Sequence, residues 1–308
     1  MITRRTTLAV GKGMLAIGML WFLASDDRLT IAPVREVLAH PMMCALILLT
    51  HVVIFALGVA RWWLLLAAFQ ERRSSLLELM AISWIGQFFG LLLPSAVATD
   101  ATRLAYLKSS PTAPSDGVLP SLVIDRLAGV LGTLLLAVLL SYQAVIALLA
   151  HARATREQLI VALLAVLIGA IVVFAATTAR RRVLVAYRSL QSRSTSVSKG
   201  RWAVLAAISL AMAAMALKVL IIWMALSAVS PAHLSIRDVY AVAPVGFLIE
   251  ALPVSPAGIG TGHAAFEYLL ALRYIAGGAA IYNIYLVSRL LVAAVGGIVW
   301  LSRGRATT

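Results

Sequence analysis

The chain has 308 residues, 62% of them hydrophobic and only 12% charged, and its mean hydropathy is +0.98. A soluble globular domain is about half apolar and about a quarter charged, so these proportions exclude a soluble fold and point to an all-α polytopic membrane protein, residues 1–308 forming one integral membrane domain. The net charge of +14 sits between apolar runs, without basic–aromatic ladders or zinc-finger spacing; nucleic acid is excluded as a partner, and topology and anionic lipid headgroups account for the basic residues.

Thr3-Arg4-Arg5 precedes an apolar run from Leu8 to Ala24 that only Lys12 interrupts. This run resembles a signal peptide, with Leu23-Ala24-Ser25 as a cleavage site, but the many later spans favour a retained first helix. A polar loop with Asp26, Asp27, Arg28, Arg35 and Glu36 leads to a second span, Met42 to Phe69, which contains Cys44. That lone cysteine excludes an intrachain disulfide and a thiolate metal site. Arg61, followed by Trp62 and Trp63, reads as an interfacial span end with aromatic anchors and a snorkelling arginine.

After Glu71-Arg72-Arg73, the apolar segment Leu76 to Leu93 stops at Pro94, and Ser95-Ala96-Val97-Ala98-Thr99-Asp100-Ala101-Thr102-Arg103 follows. Tyr106 to Gly117 is a polar loop. The long span beginning at Val118 carries Asp125-Arg126, about two turns in. His151 to Glu157 is a short polar loop and Gln158 to Ala179 an uninterrupted span. The loop 180–201 is the most basic segment, with Arg180, Arg181, Arg182, Arg188, Arg193, Lys199 and Arg201 and no acid. Trp202 to Val229 is a further span containing Lys218. Beyond the polar link Ser230 to Asp238, an apolar segment runs from Val239 into Leu252-Pro253-Val254-Ser255-Pro256-Ala257-Gly258-Ile259-Gly260-Thr261-Gly262-His263, with Glu267 one helical turn further on. A last span, Ile281 to Leu301, precedes Arg303 and Arg305.

Positive residues favour the cytoplasmic side, so the basic loop and both termini are expected there. Two spans from the N-terminus return the chain to the inside near Glu71, and counting back from Arg180 puts Tyr106 to Gly117 inside as well. Residues 76–105 therefore begin and end on one side. The same count makes residues 239–278 enter and return from the opposite face. The expected architecture is six transmembrane helices plus two oppositely oriented re-entrant hairpins, an inverted repeat; eight full spans are the alternative. Asp125-Arg126-Leu127 after the first hairpin recurs as Ser288-Arg289-Leu290 after the second, and Gly129, Gly132, Gly296 and Gly297 permit close helix approach nearby.

Ionisable residues inside a membrane are functional candidates because a buried charge is costly. Here they are Asp100, Arg103, Asp125, Arg126, Glu250, His263, Glu267 and Arg289, with Lys218 able to snorkel. Asp100 is expected to pair with Arg103, and Asp125 with Arg126 or Arg289. Broken helices present unpaired backbone N–H groups to anions, and arginine suits phosphate. Arg103, Arg126 and Arg289 are thus expected to attract a phosphate, bounded by Pro253, Ser255, Pro256, Gly258, Gly260 and Gly262. Asp100, Asp125 and Glu267 would hold those arginines or carry protons. His263 and Glu267 share a helical face, where a pairing that orients Glu267 is the first expectation and a proton relay the second. No third ligand stands in register for a metal. The glycine spacing fits neither a P-loop nor a dinucleotide fingerprint, and neither an Asp-x-Asp pair nor a catalytic triad is evident. No cofactor is expected, and no residue is assigned a catalytic role.

These motifs resemble the flippase-like family named for the transmembrane region of lysylphosphatidylglycerol synthase. The resemblance runs from about Leu46 to Leu301 and rests on Arg61, on Leu93-Pro94 with Asp100 and Arg103, on Asp125-Arg126-Leu127, on Leu252 to Gly260, and on Arg289-Leu290. The chain departs from the family in two places: Ser95-Ala96-Val97-Ala98-Thr99 stands where a glycine-rich run is usual, and His263 precedes the acid after Gly-Ile-Gly. The resemblance implies a flippase in the bacterial inner membrane that moves a phospholipid or polyprenyl-phosphate-linked headgroup between leaflets. The alternative is a membrane subunit or accessory factor of a glycosyl- or aminoacyl-transferase or hopanoid pathway, partnered by lipid-biosynthesis enzymes. The family's soluble aminoacyl-transferase domain has no counterpart in this sequence, so lysyl transfer by this chain is not expected.

Overall fold

The computed structural model describes residues 32–69, 75–92, 96–109, 118–150, 197–229, 235–251 and 258–304. The expected spans Leu8 to Ala24 and Gln158 to Ala179, and most of the basic loop, lie outside the described residues. A short helix α1 (Ala32–Leu38) precedes α2 (Pro41–Phe69), α3 (Leu76–Leu92), α4 (Ala96–Ser109), α5 (Val118–Ala150), α6 (Val197–Val229), α7 (Ile236–Glu250), α8 (Thr261–Ala271) and α9 (Gly278–Gly304). Every described element is helical.

Length and apolarity single out α2, α5, α6 and α9. Their stretches Pro41–Ala68, Val118–Leu140, Gly200–Val229 and Gly278–Arg303 are long and apolar enough to cross a membrane, since about 20 residues bridge the hydrocarbon. Their outward faces are what a bilayer requires. Leu49 and Val53 on α2, Leu135 and Leu139 on α5, and Leu291 and Ile298 on α9 are exposed; in water such contiguous apolar faces would drive aggregation. This is a polytopic α-helical membrane protein.

The four remaining helices form two pairs. Helix α3 has 17 residues and α4 14; α7 has 15 and α8 11. Within each pair the helices pack on one another. Both pairs open with the same local signal, a serine followed three residues on by an acid: Ser75-Leu76-Leu77-Glu78 and Ser235-Ile236-Arg237-Asp238. At α7 the Ser235 hydroxyl accepts from the Arg237 N–H, while Asp238 lies in the first turn and favours the helix dipole. The second pair therefore starts at Ile236 rather than Val239. Helix α4 continues to Ser109, so the first four residues of the expected polar loop are helical.

Packing between the two halves is reciprocal. Helix α2 lies along α6, α3 packs against α9, and α7 packs against α5. Each pair thus leans its first limb on the long helix that follows the other pair. Each half also owns an apolar cluster. One joins Phe55, Val59, Trp62 and Leu66 of α2 to Leu79, Leu107 and Leu122. The other joins α6 to Phe247, Phe266, Leu270, Tyr282 and Tyr285.

Glycines set the closest approaches. A Cβ on Gly132 would meet Ala211 and the Ile208 carbonyl on α6, and one on Gly297 would meet the Phe88 ring on α3. Gly129 has another use: the Arg61 guanidinium lies over it. The halves differ in their second limbs, because α8 packs extensively on α9 while α4 touches α5 only sparingly.

Candidate functional site

The first cluster gathers where α4 meets α2 and α5. The Arg61 guanidinium donates twice to Asp125, Nε to Oδ1 at 2.7 Å and Nη2 to Oδ2 at 3.0 Å. This forked geometry is the strongest that arginine makes with a carboxylate. Arg61 is therefore not the interfacial, snorkelling residue its tryptophan neighbours imply; a 4%-exposed carboxylate one helix away holds it inward. Asp125 accordingly pairs with Arg61 and not with Arg126 or Arg289.

Asp100 takes two arginines. Arg126 Nε donates to its Oδ2 at 2.6 Å, and Arg103 Nη1 stands 3.8 Å from its Oδ1, the pairing expected of neighbours one helical turn apart. Arg103 is buried, with its guanidinium over the Trp62 ring at 4.8 Å, a cation–π contact. The Trp62 indole N–H in turn donates to Ser121 Oγ. Arg103 Nε is buried without a partner among the described residues. Three arginines thus face two carboxylates, all within Coulombic reach of Arg103.

The second cluster lies where α7 ends against α9 and α6. Arg289 Nη1 donates to Glu250 Oε1 at 2.6 Å, and Lys218 on α6 carries its ammonium over the Phe247 ring at 5.4 Å. Two cations here face one carboxylate. Lys218 lies within Coulombic reach of Glu250 and Arg289, and also of Arg61, so α2 and α6 bring the two clusters into electrostatic contact.

The break between α7 and α8 is held by its own small network. Gly258 and Gly260 have φ of 78° and 87°, backbone that a Cβ disfavours. His263, at the third position of α8, accepts the Gly260 N–H on Nδ1 at 3.2 Å. Its Nε2 lies 2.7 Å from Asn283 Oδ1; with Nδ1 accepting, the neutral ring carries its hydrogen on Nε2 and donates to that amide. Glu267 accepts the Ala279 N–H at 2.9 Å, a carboxylate at the N-terminus of α9. His263 and Glu267 therefore share a face without pairing: one closes the break, the other caps the next helix. Pro253, Ser255 and Pro256 lie outside the described residues. Gly258 lies beside Glu250 and the Tyr282 hydroxyl, and Gly262 beside the Tyr282 ring.

Some contributors escape a reading of motifs. Arg61 reads as an anchor, Lys218 as a snorkelling side chain, and His51 stands out only as an ionisable group in an otherwise apolar run, which is itself the signal. Tyr282, Tyr285 and Asn283 carry no sequence signal of their own; the fold brings them to the break.

The family described as "Lysylphosphatidylglycerol synthase TM region" matches residues 8–299 of this chain. No curated protein and no solved structure matches it.

Proposed function

Because the chain belongs to the lysylphosphatidylglycerol synthase transmembrane-region family, we propose that it moves a phosphate-bearing lipid or polyprenyl-linked headgroup between the leaflets of the bacterial inner membrane, with both termini cytoplasmic. The two helix pairs are re-entrant hairpins entering from opposite faces. At 17 or fewer residues, each limb falls short of the roughly 20 that bridge the hydrocarbon, and paired breaks in two halves mark a midplane site.

The observation that carries this reading is the charge balance at the breaks. Each helix pair contributes to a cluster that has, among the described residues, one more cation than carboxylates, and the two clusters are in Coulombic contact through Arg61 and Lys218. A headgroup phosphate crossing the hydrocarbon needs its hydration replaced. Arg126 and Arg289 supply the replacement by exchanging part of their bonding to Asp100 and Glu250 for phosphate oxygens. The carboxylates hold the arginines in place between visits. Asp125, gripped by both its oxygens, stays with Arg61 and keeps α2 and α5 together.

Leaflet-resolved quenching of a tail-labelled anionic phospholipid in proteoliposomes tests the reading. Arg126→Ala and Arg289→Ala each remove one charge-assisted contact worth about 1.5–3 kcal/mol, so lipid movement should slow by about ten- to hundredfold. Arg126→Lys, which keeps the charge and loses the fork, should fall between. Unchanged movement in both alanine variants, each eluting as a monodisperse species, would overturn the proposal.

A further inference from the structure

His51 stands about a third of the way along α2, 5% exposed. Its ring tilts against Tyr285 at a centroid distance of 5.0 Å, and its Nδ1 lies 3.0 Å from Ser288 Oγ. The Ser288 hydroxyl has a single hydrogen, and it donates that hydrogen to the Tyr285 carbonyl at 2.8 Å. Both bonds coexist only if Nδ1 carries a hydrogen and donates to the serine oxygen. The neutral ring then has a bare lone pair on Nε2. That nitrogen is buried and has no hydrogen-bond partner among the described residues. Buried polar atoms are nearly always paired, so an orphan of this kind calls for a partner beyond the described residues, a place that a bound headgroup can fill.

The surroundings narrow the chemistry of that partner. His51 is within Coulombic reach of Lys218 and Arg289, and Ser288, its anchor, immediately precedes Arg289. Glu250 balances one of these two cations, so a ligand there is suited by a single negative charge and needs a hydrogen-bond donor for Nε2. An ammonium donor would be repelled by the two cations; a hydroxyl donates without that penalty. We propose that His51 Nε2 accepts a hydrogen bond from a hydroxyl of the transported headgroup, so that this site selects phosphodiester lipids carrying a hydroxyl near the phosphate. The assignment rests on the transport reading and adds His51 to it as a specificity-determining residue.

Two tail-labelled lipids of equal charge separate the effects. Phosphatidylglycerol carries headgroup hydroxyls, whereas phosphatidylmethanol is equally anionic and has none. Wild-type protein in proteoliposomes should move the first about tenfold faster than the second, the worth of one hydrogen bond in a site built for it. His51→Phe should bring phosphatidylglycerol down to the phosphatidylmethanol rate and leave the latter as it was. His51→Gln, with an amide oxygen to accept, should restore part of the ratio. Equal wild-type rates for the two lipids overturn this assignment and leave transport standing, as does an unaltered ratio in His51→Phe. Equal slowing of both lipids in that variant marks His51 as a structural residue and overturns it too. Movement of neither lipid by the wild type removes both this assignment and the transport reading beneath it.

Discussion

Asp125→Ala is expected to destabilise the protein by about 3–5 kcal/mol, the cost of leaving a buried guanidinium without its carboxylate. Asp125 is 4% exposed and accepts both Arg61 bonds, and in hydrocarbon neither partner has water to fall back on. The loss should therefore be recovered in large part when the other charge goes as well. Arg61→Met/Asp125→Leu, which replaces the pair by apolar side chains of similar bulk, should melt near the wild type in detergent. Thermal denaturation followed by size exclusion reads the wild type, the single variants Arg61→Met and Asp125→Leu, Asp125→Ala and the double variant. Additive losses in the double variant would show that the two charges act separately.

Gly296→Val is expected to show the second large effect, by a different route. A Cβ at Gly296 would run into the carbonyl of Trp84 on α3. Backbone cannot move aside as a side chain can, so the two helices must separate. Separation also strains the bond from the Trp84 indole N–H to the Val292 carbonyl, 3.0 Å long. Overpacking of this sort costs about 1–3 kcal/mol, and because α9 is the surface on which the first helix pair leans, the proposed lipid movement should fall along with the melting temperature. Gly58 is the internal control. It lies inside α2 with open space where a Cβ would go, so Gly58→Ala should be neutral or stabilise by up to about 1 kcal/mol through helix propensity. Equal melting temperatures for the two variants would refute the close-contact account of α3 and α9.

On the proposed transport reading, the clusters divide the labour between rigidity and exchange. The Arg61–Asp125 fork is buried and satisfied, so it fixes α2 to α5. The Arg126 side chain is 50% exposed, and its carboxylate partner is shared with Arg103; this is the pairing most open to competition from a phosphate. The second limbs differ in the same sense. Helix α8 is tied to α9 by His263–Asn283, by Glu267 on the Ala279 N–H and by Phe266 stacked on Tyr282 at 5.1 Å. Helix α4 meets α5 more sparingly, and the Asp100–Arg126 ion pair bridges the two.

Much of this was legible in the amino-acid order because it depends on local chemistry. The long helices α2, α5, α6 and α9 follow from uninterrupted apolar runs. The breaks follow from Leu93-Pro94 and from the prolines and glycines between Pro253 and Gly260, whose density, with positive φ at Gly258 and Gly260, stops a helix. That Arg126 and Arg289 would stand early in the spans after those breaks was equally visible. The partners of those charges were not. Asp125 finds Arg61 across 64 residues, Arg126 finds Asp100 across 26, and Arg289 finds Glu250 across 39. Helical spacing says which residues share a face, but not how two helices are rotated against each other. A rotation of about 100°, one residue's worth, exchanges one candidate partner for the next. Local order thus determined the four long apolar helices and the two broken pairs seen among the described residues, out of six spans and two hairpins expected, and that arginines and acids would accumulate near the breaks. Tertiary packing alone decided which carboxylate holds which arginine, that His263 closes its own turn instead of meeting Glu267, and that His51 is anchored to Ser288 beside Arg289. Each of these depends on the mutual rotation and closest approach of helices far apart in the chain.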